Sequence, residues 1–299
     1  MKPVLLLLAV LACALGAAPA PAEPSKAAAP RVATFCPFVT DALAAAAGRV
    51  EIVASVRRSP SAPVADGVAD LGTPHTPNTE VLAASRAEIV VVDAVMHAAL
   101  VPKLEAQGFE VMRVDTTSVD GAFAGILEVA KRTGTLDTVG AEVERARSSL
   151  VASRSERPER VLALMGTPSS FFVMTRRTWQ GDLLERLGYV NLGADASGDS
   201  RAPGFAPLSD EVLAGLEPDR VLLVAHGDVA AVKTAFERRM QERGIWRDAG
   251  TGALPPVVVL PPERFLANPG LGIADVAREI VAAGGATPSV ATPPAGAGS

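Results

Sequence analysis

Cysteine is nearly absent from the chain: Cys13 and Cys36 are the only two in 299 residues, and Cys13 lies inside an N-terminal apolar run. Once that run is removed, Cys36 has no partner for an intramolecular disulfide, so stability must come from packing. Aromatic residues are equally scarce, with nine Phe, two Trp and one Tyr making 4%. The core is therefore built mainly of Ala, Val and Leu. There is no basic excess, since 28 Lys+Arg face 33 Asp+Glu for a net charge of -5. That excludes a general binder of nucleic acid or anionic membranes. No apolar run reaches the roughly 20 residues of a membrane span. Catalytic and metal signatures are missing as well: there is no G-x-S-x-G elbow, Walker loop, nucleotide-binding glycine run, C-x-x-C or H-E-x-x-H, and histidines number three.

The ends are distinctive. Met1 to Ala22 carries Lys2, an apolar stretch from Val4 to Leu15 and small residues ending in Ala20-Pro21-Ala22, the layout of a secretory signal. The mature protein is expected to be exported to the periplasm. Val10-Leu11-Ala12-Cys13 resembles a lipobox, so the mature start is either the residue after Ala22 or a lipidated, membrane-anchoring Cys13. Residues 23–30 and 283–299 are rich in Ala, Pro, Gly and Ser. They read as a flexible linker and a disordered tail.

Between these ends the chain echoes itself at an offset of 131 residues: Glu80-Val81-Leu82-Ala83 returns as Glu211-Val212-Leu213-Ala214. Each copy runs through an acidic break (Ala87-Glu88, Pro218-Asp219) into an apolar run, Ile89 to Val92 or Val221 to Val224. This reads as short helix, turn and buried strand, twice. Further strand-like runs are Val32–Phe35, Val50–Val56, Val111–Val114, Val161–Met165 and Val257–Leu260, with helical stretches between them. The alternation predicts an α/β fold of two parallel-sheet, Rossmann-like lobes, 31–119 and 157–282. Residues 120–156 hold no strand-like run and give Leu136, Val139, Val143, Ala146 and Leu150 at helical spacing. A helix of roughly 20 residues, about 30 Å long, is expected to join the lobes.

Export, two α/β lobes and a helical crossover together resemble the class III, or helical-backbone, periplasmic substrate-binding proteins of ABC importers for iron-siderophores, haem and cobalamin. Local segments carry the likeness. Ala33-Thr34-Phe35-Cys36-Pro37-Phe38 stands where the family runs from its first strand through Ser-Pro into a helix, with Cys36 in place of Ser. Gly72 to Val90 is similar to the family's "Gly, spacer, Asn, Glu, Ile" segment, although Ala87-Glu88 replaces Pro-Asp. Leu208 to Val221 is its second-lobe counterpart, and Gly181 to Asn191 with Pro269 completes the order. The resemblance implies that the protein is not an enzyme, holds no permanent cofactor and acts as a monomer that delivers a metal-containing chelate to a permease dimer. It also implies that Glu80 and Glu211, one at each lobe tip, dock on arginines of that permease.

In two-lobed α/β proteins the ligand sits at the carboxyl ends of the strands, between the lobes. The candidates in the first lobe are Cys36, Pro37, Phe38, Pro74, His75, Asp93 and His97. In the second they are Phe171, Phe172, Arg176, Trp179, His226, Arg264 and Phe265. Phe38, Phe171, Phe172, Trp179 and Phe265 make up over a third of the aromatics and suit a flat or macrocyclic ligand. His75, His97, His226 and Cys36 are candidate metal ligands. Arg176 could clamp an anionic group of the ligand. A binding protein for bare zinc or manganese is one alternative, an exported α/β enzyme the other.

Overall fold

A computed structural model describes residues 28–58, 63–155, 159–198, 203–246 and 255–285. The expected signal segment, Cys13 and all but the first three residues of the expected C-terminal tail lie outside them.

The first lobe is a parallel sheet in the order β3-β2-β1-β6-β7, formed by β1 (Arg31–Thr34), β2 (Glu51–Ser55), β3 (Ala69–Asp70), β6 (Ile89–Asp93) and β7 (Glu110–Val114). A hairpin of β4 (Gly72–Thr73) and β5 (Thr76–Pro77) stands apart from it. Its helices are α1 (Pro37–Ala44), α2 (Thr79–Ala84) and α3 (Val101–Ala106). The β-branched run of β6 is buried at all five positions. Its place between β1 and β7, with helices on the faces, explains why it does not alternate.

The second lobe contains β8 (Arg160–Gly166), β9 (Phe171–Met174), β10 (Val190–Asn191), β11 (Phe205–Pro207), β12 (Arg220–Ala225) and β13 (Val257–Leu260). The path is β11-β9-β8-β12-β13, with β10 also on β8. It differs from an all-parallel sheet, because β9 runs antiparallel to β8 and β11 antiparallel to β9. The tight turn Thr167–Ser170, closed by the Thr167 N–H on the Ser170 carbonyl at 2.8 Å, sends the chain straight back. A parallel return would have needed a crossover of a dozen residues. The helices are α6 (Trp179–Arg186), α7 (Asp210–Ala214), α8 (Val229–Arg243), α9 (Pro262–Phe265) and α10 (Ile273–Gly285). α10 therefore continues three residues into the expected tail.

The crossover is two helices rather than one, α4 (Val119–Arg132) and α5 (Leu136–Ala152). Thr133-Gly134-Thr135 breaks them: Gly134 has φ +70, and the Thr133 hydroxyl donates to the Val129 carbonyl at 2.9 Å. Glycine alone adopts that φ without strain. The 17 residues of α5 span about 25 Å, and Val139, Val143, Ala146 and Leu150 form its buried stripe.

Besides a core cluster of its own in each lobe, one cluster spans both. It includes Val32 and Phe38 from the first lobe, Ile126 and Val143 from the crossover, and Val161, Leu222, Phe265 and Ile280 from the second. Polar links reinforce it. Asp182 of α6 accepts the Val119 N–H at 2.8 Å, and Arg186 pairs with Asp120 at 2.8 Å. Asn268 donates to the Thr116 carbonyl at 3.2 Å. Gly270, at φ +54, lies so close to Phe38 that a Cβ there would sit 2.8 Å from the Phe38 Cβ.

Candidate functional site

The cleft opens where the carboxyl ends of β1 and β6 meet the loop after α9. Thr34 prepares its floor: its hydroxyl donates to the Cys36 carbonyl at 2.7 Å and accepts the Cys36 N–H at 2.9 Å. That turn places Pro37 at the first position of α1, where its fixed φ and missing N–H cost nothing. Cys36, Pro37 and Phe38 are all buried and line the cleft. Burial pushes the Cys36 thiol well up from its ordinary value, and the charge of Asp93 pushes the same way. Cys36 therefore stands in the cleft floor as a neutral thiol.

Asp93 ends β6 and organises the next side of the site. Its Oδ1 accepts the N–H groups of Val95 and Met96, both at 2.7 Å, and its Oδ2 accepts the Thr116 hydroxyl. The carboxylate is thus occupied by its own loop. His97, 1% exposed, accepts the Asp93 N–H on Nδ1 at 3.0 Å. Its Nε2 lies 2.7 Å from the Pro74 carbonyl. A carbonyl can only accept, so Nε2 carries the proton, and neither ring nitrogen has a lone pair to offer a metal.

The β4–β5 hairpin supplies the mouth through its two-residue turn, Pro74-His75. His75 is exposed and lines the cleft, and among the described residues no group hydrogen-bonds its ring. Met96, 48% exposed, lines the same cleft. Leu266, Ala267 and Asn268 close it from the second lobe. The cavity measures about 170 Å³, below the roughly 300–1,000 Å³ typical of small-molecule pockets. A macrocycle must lie partly in the mouth. Apart from His75, the exposed part of its lining is apolar: Met96 (48%), with its neighbour Val95 (43%) in the turn after β6, and Leu266 (40%) directly after α9.

Several second-lobe candidates lie elsewhere. Phe171 is buried in that lobe's own core, edge-on to Phe236 at 5.3 Å. Phe172 is half-buried and pairs in register with Met165 and Pro207. Because β9 doubles back along β8, Arg176 is carried away from the cleft and pairs with Asp195 at 3.1 Å and Glu185 at 3.4 Å. Trp179 and Phe265 stack in the shared core at 6.3 Å, 5% and 1% exposed. Arg264 pairs with Glu279 at 2.5 Å beside a separate groove that Asp41 and Arg58 also line. His226 is exposed at the end of β12 without lining the cavity. Glu80 and Glu211 are exposed in the first turns of α2 and α7, and neither carboxylate is ion-paired among the described residues. Phe35, Thr116, Ala267 and Asn268 are cleft residues that the candidate set lacked. Met96 stands between the candidates Asp93 and His97, in the loop after a central strand that the sequence already placed at the cleft. Among the described residues no three His, Cys, Asp or Glu side chains converge, the donor count expected of a bare divalent metal site.

A family model described as periplasmic binding protein matches residues 32–263. The chain belongs to the periplasmic binding protein family. This family member is 28% identical over 96 residues to the high-affinity heme uptake system protein IsdE of Staphylococcus aureus. That match covers 32% of this chain and 31% of the relative. Among solved structures, an ABC transporter substrate-binding protein from Listeria monocytogenes EGD-e superposes with a TM-score of 0.71 at 20% identity, covering 84% of this chain and 97% of that one. The S. aureus IsdE complex with heme gives 0.70 at 19% identity, with the same coverages. The shared architecture is the two-lobed fold described above.

Proposed function

We propose that this periplasmic binding protein is the extracytoplasmic capture component of an ABC importer and that its cargo is haem. One observation carries the reading: the cleft mouth offers an unbonded imidazole, His75, and a thioether, Met96, within an apolar rim. Imidazole and thioether are the axial ligands haem iron takes in cytochromes, and the flat macrocycle suits an apolar rim. Haem would travel as cargo, with no cofactor held permanently. The relatives named for heme support the choice over ferric siderophore and cobalamin.

Delivery would use Glu80 and Glu211. A two-fold permease presents two equivalent basic pockets, and a monomer with one free carboxylate per lobe answers both. Export would use the segment Met1 to Ala22, with the mature start after Ala22 or at a lipidated Cys13.

The test is titration of the purified protein with haem, cobalamin and a ferric siderophore, followed by visible spectra and thermal midpoint. Haem should give a saturable Soret band and raise the midpoint, and His75→Ala with Met96→Ala should change the band. A midpoint raised only by another chelate would overturn the assignment.

A further inference from the structure

His97 is spent on holding the structure of the site rather than on binding. It is buried, packs edge-on to Phe35 at 5.1 Å, and joins two separate parts of the first lobe. On one side its Nδ1 accepts the N–H of Asp93, the last residue of β6. On the other its Nε2–H donates to the carbonyl of Pro74, the residue before His75 in the hairpin turn. The hairpin has little else to fix its tip. β4 and β5 are two residues each, and the Thr73 and Thr76 hydroxyls, 3.1 Å apart, bond only within the hairpin. Other ties act at its base, where Arg57 donates to the Gly72 carbonyl and Asn78 to the Leu71 carbonyl, both at 2.8 Å.

We propose that His97 is a positioning residue: its bond to the Pro74 carbonyl fixes where the His75 imidazole projects into the cleft. What His75 then binds rests on the haem reading above. The role is that of an outer group that orients a metal ligand without touching the metal, here acting through the ligand's backbone rather than its ring.

Two conservative variants separate the two bonds. The side-chain nitrogen of Gln can take the place of Nε2, so His97→Gln keeps a donor for the Pro74 carbonyl and loses the acceptor for Asp93. The side-chain oxygen of Asn can take the place of Nδ1, so His97→Asn keeps that acceptor and loses the hairpin bond. Amide hydrogen exchange across residues 72–78 of the full chain, without ligand, reads the hairpin directly. Exchange should quicken in His97→Asn and return towards wild type in His97→Gln. Haem affinity should fall about tenfold or more in His97→Asn, with a changed Soret band, and His97→Gln should restore most of it. Equal exchange in the wild type and both variants, or equally fast exchange in both variants, would overturn the proposal. The exchange measurement needs no haem, so it judges His97 even if His75→Ala leaves the Soret band unchanged and the haem reading falls.

Discussion

Replacing Phe265 by Ala distinguishes a core aromatic from a ligand platform. The ring is 1% exposed, stacks on Trp179 at 6.3 Å and belongs to the cluster joining the lobes. Its backbone carbonyl, which accepts the Gln180 side chain at 2.9 Å, survives the substitution. The loss is therefore of packing alone. Truncating a buried Phe costs about 3–5 kcal/mol, because transfer energy and a residual cavity add. At the scaling for a body of this size, the melting midpoint should fall by about 6–20 °C. Thermal and urea unfolding of the full chain measure the loss, and a haem titration below the transition should show the wild-type affinity. A midpoint within about a degree of wild type, a shift equivalent to less than roughly 0.5 kcal/mol, together with lost haem binding, would refute the placement of this ring in the core.

Other expectations are more local. Glu80→Ala with Glu211→Ala should impair uptake in whole cells while leaving ligand affinity intact, and normal uptake would remove the docking role. Asp210 accepts from Arg239 at 2.8 Å, which holds its carboxyl below the ordinary 3.8. A depressed native value favours the charged form, so this stabilisation is present above the ordinary value and lost as pH falls through the native one. Asp210→Asn should flatten the acid limb of a plot of midpoint against pH below about 5. Cys36 is 3% exposed with its thiol shifted up, so in a Cys13→Ser chain it should resist alkylation at about pH 8 until the protein is unfolded. Rapid native labelling would show an open cleft floor.

Much of the fold was legible because its strands advertise themselves. Ile89–Val92 and Val221–Val224 are apolar runs too short for helices, and the shared Glu-Val-Leu-Ala before each marks the same unit in both lobes. The reversal at Thr167–Ser170 was not legible, since an apolar run such as Phe171–Met174 looks the same in either direction. Direction is set by turn geometry and partners distant in sequence. Trp179 and Phe265 failed as cleft residues for a related reason: position near a strand end says which end of the sheet a ring occupies, not whether it faces inward. The break in the crossover was visible as Gly134, yet an isolated glycine inside a helical pattern is often tolerated. At His75 and His97 the two imidazoles look equivalent in sequence. Only the partners at 3.0 and 2.7 Å show that one is committed to the protein and the other free.

The core that runs unbroken from Phe38 through Ile126 to Leu222 has a consequence for traffic at the membrane. On the proposed importer role, lobes fused in this way would present nearly one outline, full or empty, and the permease would be denied a change of shape as its signal of loading. Empty molecules would then occupy the docking surface as readily as loaded ones. Raising the amount of binding protein above the supply of cargo should slow import rather than speed it.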